Sequence, residues 1–506
     1  MVKRLKLNYI HLLKSALCSF LRDFGKLLHL PAGLAVLSLP VILYFKEWFA
    51  LVPFGIMAGI GVVVGQILYH TFKGSDQIEK GFSVMFVAFA WVIIPLLGTI
   101  PFFGAASQAP PGQYQELGVF REFQNSFFEA VSGFTGTGLT MIKDPTQIPY
   151  VLQWWRTLSE WIGGVGVIML ASLLLKLNFK DQNLYNAETR NWTIQGDDVF
   201  MDTVYKIWWL YVGYTIVSIV LYYIFGMPFW EALNHGMTAL GTGGFSVVPD
   251  SFSNYSDNIK MLSVVIMITG AIAFKIHYLL IIKFDWKTFL KQTQLHFFLV
   301  FLVTACVILF FIHSEVAVID LVFQAASALA TCGLHTVDIG EWYMSPVFVL
   351  VILMILGANS GSTGGGIKTE RFVWFFKGFF RNVKQAWDPK EGEAKVIYND
   401  EPQEEDAVNS HIQQAANIVF LWLITLTIGT LLLSLIVKEE YSFHEVLFDT
   451  ASALSNVGLS TGVTGPNMPA EGKYLLSFLM WLGRLEIMAV AIFLISPFYL
   501  FKKTPH

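Results

Sequence analysis

Long apolar runs constrain the fold of this chain more than any other feature. A helix of about 20 residues crosses the roughly 30 Å hydrocarbon core of a bilayer. With 55% hydrophobic and only 14% charged residues, the 506-residue chain has too few polar groups to cover a soluble protein of that size. The sequence therefore predicts an all-α, polytopic membrane protein. Its ten predicted crossings lie near residues 32–48, 51–72, 82–104, 151–178, 202–226, 259–282, 294–313, 344–358 with a continuation beyond the following loop, 415–437 and 474–501.

Basic residues orient these crossings, because Lys and Arg accumulate in cytoplasmic loops. The segments assigned to the cytoplasm hold 23 of the 33 Lys and Arg residues, and the opposite side holds six. Both termini are therefore expected in the cytoplasm, as an even number of crossings requires. Residues 1–31 form a basic amphipathic segment without a cleaved signal, and the polar stretch 387–410 is interpreted as a cytoplasmic linker that contacts a partner.

One short pattern occurs four times: Ser or Thr, a small residue, Leu or Phe, three further residues, Gly, then Leu or Phe. Each copy ends a half-length amphipathic segment of about 12 residues, too short to span a bilayer and typical of a pore helix. The copies predict four helix–pore helix–loop–helix repeats related by pseudo-fourfold symmetry around a central pore. The copies read "SGFTGTGL" (132–139), "TALGTGGF" (238–245), "SALATCGL" (327–334) and "SALSNVGL" (452–459).

These repeats divide the chain into pieces. The predicted boundaries are 1–31 for the amphipathic N-terminus, 32–75 for two additional transmembrane helices, 76–198, 199–288 and 289–386 for pore repeats 1 to 3, 387–410 for the linker, and 411–506 for pore repeat 4.

An acidic residue precedes each pattern, and we expect these acids to attract cations electrostatically. They are Glu129, Glu231, Asp320 and Glu445.

The glycine shared by the four copies is the candidate for ion selection. Glycine tolerates positive φ, so the chain can turn its carbonyl oxygens toward a common axis, where they replace the water shell of an alkali cation. The alternative is that these small residues only permit close helix packing. The predicted filter, which would bind K⁺, consists of Gly138, Gly244, Gly333 and Gly458 with the residues before them, Thr137, Gly243, Cys332 and Val457.

Together with "GANSGSTGGGIKTERF" (357–372), "SEWIGGVGVIML" (159–170) and "GRLEI" (483–487), this repeat resembles the Trk/Ktr/HKT superfamily of potassium transporters. The two extra N-terminal crossings resemble its TrkH/TrkG branch. The resemblance implies a homodimer with one pore per subunit, a cytoplasmic nucleotide-binding regulatory subunit of the TrkA type, and a place in the bacterial cytoplasmic (inner) membrane. In plant relatives a serine at the first filter glycine accompanies sodium preference, so Gly138 implies potassium.

The loop 359–366 interrupts the eighth crossing. It is not a Walker phosphate loop, because Ile367 separates Gly366 from Lys368. In relatives this broken helix is an intramembrane gate, and Arg484 is expected to project into the pore beneath the filter as an electrostatic barrier. The alternatives are a static kink for the loop and a structural salt bridge for Arg484. The gate residues are predicted to be Asn359, Ser360, Gly361, Ser362, Thr363, Gly364, Gly365, Gly366, Lys368 and Arg484.

Other polar residues receive structural interpretations. Arg156 and Glu160 lie four residues apart, which predicts an ion pair along one helix. His235 and His335 flank the filter segments and are interpreted as hydrogen-bonded imidazoles rather than metal ligands. The role of Lys275 stays open.

The sequence thus predicts potassium uptake through a channel-like pore, with K⁺ as substrate, no catalysis, no cofactor bound by this chain, and membrane lipid but no nucleic acid among its partners. The first alternative is a Na⁺- or H⁺-coupled secondary transporter, a symporter whose repeats would normally be inverted. The second is a membrane enzyme, which would require clustered intramembrane catalytic residues.

Overall fold

The computed structural model describes residues 15, 17–74, 80–166, 197–387, 396–485, 487, 490, 494 and 495. Four predicted features therefore lie partly outside the described residues: the first half of the amphipathic N-terminus at 1–31, the second half of the crossing at 151–178, the end of the crossing at 474–501, and the start of the linker at 387–410. The described residues are mainly helical, and six of their helices are long and apolar enough to span a bilayer.

The first two helices precede the repeats. The first is a helical span, Leu17–Phe45, whose second part is α1, His29–Phe45. The second is α2, Leu51–Thr71. The first helical span begins 15 residues before the predicted first crossing at 32–48. The reason is tertiary: Phe20 and Phe24 pack against Phe86 and Phe89, with ring centroids 5.3 to 6.4 Å apart, so the end of the predicted amphipathic segment is part of this helix.

Each repeat contains a long helix, a 13-residue helix, a loop and a further helix. Repeat 1 has α3 Lys80–Gln108, α4 Phe123–Thr135 and α5 Tyr150–Val165; repeat 2 has α6 Asp197–Ile224, α7 Phe229–Gly241 and α8 Asp257–Ala271. The short helices α9 Phe274–His277 and α10 Trp286–Leu290 connect repeat 2 to repeat 3. Repeat 3 has α11 Thr293–Ile312, α12 Val318–Ala330 and α13 Met344–Leu356, continued by α14 Thr369–Trp387; repeat 4 has α15 Glu405–Val437, α16 Phe443–Ser455 and α17 Ala470–Leu485.

The predicted crossing at 259–282 is bent. Helix α8 and the segment Phe274–Ile282, which ends in a π-helical turn, meet at 101°. The backbone N–H of Phe274 donates to the carbonyl of Gly361, 3.0 Å away, so the bend is joined to the loop that interrupts repeat 3. When this bent pair is counted as one span, the described residues contain seven candidate spans. The remaining predicted crossings, at 151–178, 344–358 and 474–501, contain described helices of 16, 13 and 16 residues.

The predicted linker is partly structured. Strands β1 Ile397–Tyr398 and β2 Glu401–Pro402 pair antiparallel, with Tyr398 opposite Glu401, and α15 begins at Glu405 rather than near residue 415. Short 3₁₀ turns occupy Trp48–Ala50, Glu116–Arg121, Pro145–Gln147, Ile339–Glu341 and Lys438–Glu440.

Apolar side chains fill the core and also cover much of the outer surface. Large apolar side chains such as Phe311 are exposed on the outer helices, as lipid contact allows, because lipid tails are as apolar as leucine. The short helices α4, α7, α12 and α16 are mostly buried: in α12 every residue from 323 to 330 is buried. The fold therefore places four short helices in the centre and the long helices around them.

Candidate functional site

The four short helices end in the same way. Each is followed by a residue in the left-handed conformation, which lets two backbone N–H groups satisfy carbonyls of the last turn. The residues with left-handed φ are Gly136, Thr242, Thr331 and Asn456. The backbone N–H of the following residue donates to the backbone carbonyl of the Ser or Thr that opens the pattern. The pairs are Thr137 to Ser132 at 2.9 Å, Gly243 to Thr238 at 3.0 Å, Cys332 to Ser327 at 2.8 Å and Val457 to Ser452 at 2.9 Å.

The glycines of the pattern lie side by side in a closed ring. Their φ angles are +87°, +98°, +85° and +103° at Gly138, Gly244, Gly333 and Gly458. A Cβ added to Gly244 would lie 2.7 Å from the carbonyl oxygen of Cys332 and 3.1 Å from the Cα of Gly333. In the same way a Cβ on Gly333 would meet the Val457 carbonyl, one on Gly458 the Thr137 carbonyl, and one on Gly138 the Gly243 carbonyl.

Each glycine therefore faces the carbonyl of the residue before the next glycine, and the fourth repeat meets the first. A side chain at any of these four glycines would strain the backbone and overlap the neighbouring repeat. The structure thus brings all eight predicted filter residues together, with the carbonyl-bearing residues Thr137, Gly243, Cys332 and Val457 buried between the glycines.

The surroundings of the ring favour a cation. The C-terminal ends of α4, α7, α12 and α16 all stop within three residues of a ring glycine. The C-terminus of a helix carries a partial negative charge of about half an electron. Four helix ends and a set of backbone carbonyls therefore make the local potential at the ring more negative.

The four predicted acids do not form an equivalent set. Glu129 lies three residues before its repeat pattern, whereas Glu231, Asp320 and Glu445 lie seven before theirs. The latter three stand in the first turn of their helices, where Glu231 accepts from Tyr255, Asp320 pairs with Lys260 at 2.8 Å, and Glu445 caps the helix with Ser442. Their contacts are local, and the expectation that the four acids attract cations electrostatically stays a prediction.

The position three residues before the pattern is the equivalent one, and sequence reasoning missed it because four different polar residues occupy it. Each reaches from the short helix to the segment beyond the ring glycine. Glu129 accepts from Met141 N–H at 2.8 Å, His235 Nε2 lies 3.1 Å from Ser246 Oγ, Gln324 donates to Val337 O at 3.3 Å, and Asp449 accepts from Thr461 N–H at 2.8 Å.

Arg156 and Glu160 do not pair with each other, contrary to the prediction. Arg156 Nε lies 2.7 Å from Glu129, and its Nη1 donates to the carbonyl of Ser246 at 2.9 Å. Glu160 instead accepts from the Thr238 hydroxyl and from Phe245 N–H at 3.0 and 3.1 Å. Helix α5 packs between repeats 1 and 2, so both side chains find partners in other helices that local spacing cannot reveal.

A cavity of about 540 Å³ opens beyond the ring, and its wall includes all four ring glycines. Lys143, Arg156, Asp250, His335 and Asp338 line it together with backbone from all four repeats. The second predicted imidazole, His335, is thus a wall residue of this vestibule.

The loop 359–366 lies across the opposite side of the ring. The hydroxyl of Thr363 donates to the carbonyl of Leu240 at 3.1 Å, Gly365 N–H donates to Thr331 Oγ1 at 2.5 Å, and Gly366 N–H donates to Ser455 O at 2.9 Å. These acceptors stand at the ends of α7, α12 and α16. The loop therefore contacts the base of three of the four short helices.

Two cationic side chains bind loop carbonyls. Arg484 donates to the carbonyls of Thr363 and Gly164 at 3.2 Å each, and to that of Gly163. Lys368, buried and with a φ of +84°, donates to the carbonyl of Gly364. Lys275 is exposed at the bend after α8.

A polar chain joins the loop to the hairpin of β1 and β2. Ser360 N–H donates to Gln294 Oε1 at 3.1 Å, and Gln294 Nε2 donates to the Tyr398 hydroxyl at 3.0 Å. The Tyr398 ring stacks on Trp374 of α14 with centroids 4.7 Å apart. At the hairpin tip, a hydrogen bond to Asp400 raises the pKa of Lys291 and lowers that of Asp400. No sequence motif marks these residues.

Comparison with known proteins decides the family. The cation transport protein family TrkH matches residues 63–499, most of the chain. The chain belongs to the TrkH family. The resemblance inferred from the glycine repeat and the broken helix is thereby confirmed.

Relatives match 80% or more of the sequence. An uncharacterized cation transporter of Methanocaldococcus jannaschii is 30% identical over 80% of this chain and 80% of its own length. The Trk system potassium uptake protein TrkG of Escherichia coli is 27% identical over 96% of this chain and 97% of its own. The crystal structure of the potassium transporter TrkH from Vibrio parahaemolyticus shares the fold, with a TM-score of 0.78 and 21% identity, covering 96% of this chain and 99% of that one.

Proposed function

We propose that this TrkH-family protein takes up K⁺ through a pore whose selective part is the ring of Gly138, Gly244, Gly333 and Gly458. The observation that supports this most is the closure of that ring. Each glycine faces the carbonyl of the residue before the next glycine, so backbone oxygens from four repeats converge on one place. Carbonyl oxygens in such an arrangement replace the hydration shell of a bare alkali cation.

The direction of the local field supports a cation rather than an anion. Four helix C-termini end at the ring, and each contributes a partial negative charge. The vestibule of about 540 Å³ gives hydrated ions access from one side. On the other side the loop 359–366 would close the path, with Arg484 and Lys368 holding its carbonyls, and would have to move for ions to pass.

The assembly follows from family membership as a proposal. We place the protein in the bacterial cytoplasmic membrane with both termini inside, as a homodimer regulated by a TrkA-type cytoplasmic nucleotide-binding subunit. The curated relative TrkG carries the words potassium uptake in its name, which favours potassium as the ion. The repeats at 76–198, 199–288, 289–386 and 411–506 would each supply one quarter of the pore.

Flux measurements on the purified protein in liposomes test the proposal. We expect uptake of ⁸⁶Rb⁺, with K⁺ competing better than Na⁺. Gly138→Ser should lower this preference, because its side chain would overlap the Gly243 carbonyl and the Cα of Gly244 at 2.9 Å. Gly118→Ala is the matched control, since a Cβ there meets open space.

Two results would overturn the proposal. One is no Rb⁺ uptake by the folded wild type. The other is an unchanged ion preference in folded Gly138→Ser. Accumulation of Rb⁺ that depends on an imposed proton or sodium gradient would instead favour the coupled transporter.

A further inference from the structure

The ring is uneven at one position. In repeats 1, 3 and 4 the residue before the ring glycine carries a side chain that is fully buried: Thr137, Cys332 and Val457. In repeat 2 that residue is Gly243, which is also buried although it has no side chain. Something else must fill the volume beside it, because protein interiors are close-packed.

Glu160 fills that volume. A Cβ added to Gly243 would lie 2.5 Å from Glu160 Oε2, 2.6 Å from its Cδ and 2.8 Å from its Cβ. The φ of Gly243 lies outside the left-handed region, in contrast to the +98° of the adjacent Gly244. The backbone at residue 243 would therefore accept an ordinary side chain, and the atoms of Glu160 exclude it.

The same carboxylate holds the chain on both sides of Gly243. It accepts from the hydroxyl of Thr238 in α7 and from the backbone N–H of Phe245, the residue after the ring glycine. Glu160 is fully buried. Its two partners, Thr238 and Phe245, lie before and after Gly243 and Gly244 in the sequence. A side chain from repeat 1 thus fixes the path of the backbone in repeat 2.

We propose that Glu160 is a positioning residue for ion selection, which replaces the missing side chain at residue 243 and holds the Gly243 carbonyl at its place in the ring. This inference rests on the proposed function. It makes Glu160 and Gly243 a matched pair: a side chain at 243 requires the removal of Glu160, and the removal of Glu160 leaves a void beside the ring.

A double-variant experiment tests the pairing in full-length protein in liposomes, with the Rb⁺ and Na⁺ uptake rates as readout. We expect Gly243→Ala and Glu160→Ala each to lower the ratio of Rb⁺ to Na⁺ uptake by about tenfold, as expected when a buried N–H loses its partner or a backbone segment is displaced. The Glu160→Ala/Gly243→Ala double variant should have a higher ratio than Gly243→Ala alone. Thr157→Ala on α5 controls for changes in that helix.

Gly244 provides the matched negative control. A side chain there meets the Cys332 carbonyl at 2.7 Å rather than Glu160, and φ is +98°. Glu160→Ala should therefore not rescue Gly244→Ala. Rescue of both glycine variants, or of neither in folded protein, would overturn the pairing.

Two conservative variants separate position from charge and do not depend on the folding of the alanine variants. Glu160→Gln keeps the length and an acceptor oxygen, so it should behave like the wild type. Glu160→Asp keeps the charge but withdraws the carboxylate by one methylene, so its ratio should fall. A wild-type ratio in Glu160→Asp, or a Glu160→Gln variant as impaired as Glu160→Ala, contradicts the inference. Absence of Rb⁺ uptake by the wild type would instead contradict the proposed function.

Discussion

Arg484 of α17 donates a hydrogen bond to the carbonyl oxygen of Thr363 in the interrupting loop, across 3.2 Å. The same guanidinium donates to the carbonyls of Gly163 and Gly164 at the end of α5. One side chain from repeat 4 thus fastens the loop of repeat 3 to the wall of repeat 1. Motion of the loop away from Arg484 must break the charge-assisted bond to the Thr363 carbonyl.

Removal of this fastening should increase ion flux. Hydrogen bonds from charged groups contribute about 1.5 to 3 kcal/mol each, so losing one shifts the balance between closed and open loops by about tenfold or more. We expect Arg484→Ala to raise Rb⁺ uptake into liposomes several-fold, while Glu471→Ala on the exposed first turn of the same helix leaves it unchanged. Wild-type flux in folded Arg484→Ala would count against a gate at this residue.

Gln294 should stabilise the loop 359–366 through its hydrogen bond with the backbone N–H of Ser360. Gln294→Ala leaves Ser360 N–H without its acceptor, whereas Tyr398→Phe removes only the hydroxyl bonded to Gln294 and keeps the stacking on Trp374. Local opening frees amide hydrogens for exchange. Hydrogen exchange followed by mass spectrometry should therefore show faster exchange of the 359–366 peptide in Gln294→Ala and a smaller change in Tyr398→Phe. Equal protection in all three proteins would disprove the connection.

The buried pair of Arg156 and Glu129 should dominate stability near the ring. Their side chains are 1% and 0% exposed, and removing one partner of such a pair typically lowers the free energy of unfolding by about 3 to 5 kcal/mol. Glu129→Ala should therefore lower the melting temperature strongly. The exposed pair of Lys291 and Asp400, at 53% and 61%, is the control: Asp400→Asn should leave the melting temperature close to that of the wild type, because solvent screens an exposed ion pair. Similar shifts for the two variants would refute the assignment.

Glu47 should attach the two additional helices to repeat 1. Its carboxylate accepts from the N–H groups of Tyr150 and Val151 at the start of α5, both at 2.8 Å, and from the Tyr114 hydroxyl at 3.1 Å. Each backbone donor left unpaired costs about 1 to 3 kcal/mol. Glu47→Ala should thus lower the melting temperature in detergent, with Glu47→Gln closer to the wild type. The exposed Glu341→Ala serves as reference, and a Glu47→Ala protein as stable as that reference would contradict this role.

The sequence alone determined the class of protein and the places where the chain departs from regular helix. Apolar length predicts spanning helices because lipid demands it, and a glycine that must take positive φ is visible as a repeated residue type. For the same reason the sequence itself marks Gly138, Gly244, Gly333 and Gly458, and the loop 359–366, as candidates.

Only the tertiary structure decided which polar side chains meet. Spacing along α5 predicts a pair between Arg156 and Glu160, but packing between two repeats sends Arg156 to Glu129 and Glu160 to Phe245. The contacts of Gln294 with Ser360 and Tyr398 likewise join segments 66 and 104 residues apart. Backbone conformation is a local property that residue types encode directly, whereas a buried charge takes whichever partner the packing of distant helices brings within hydrogen-bonding distance.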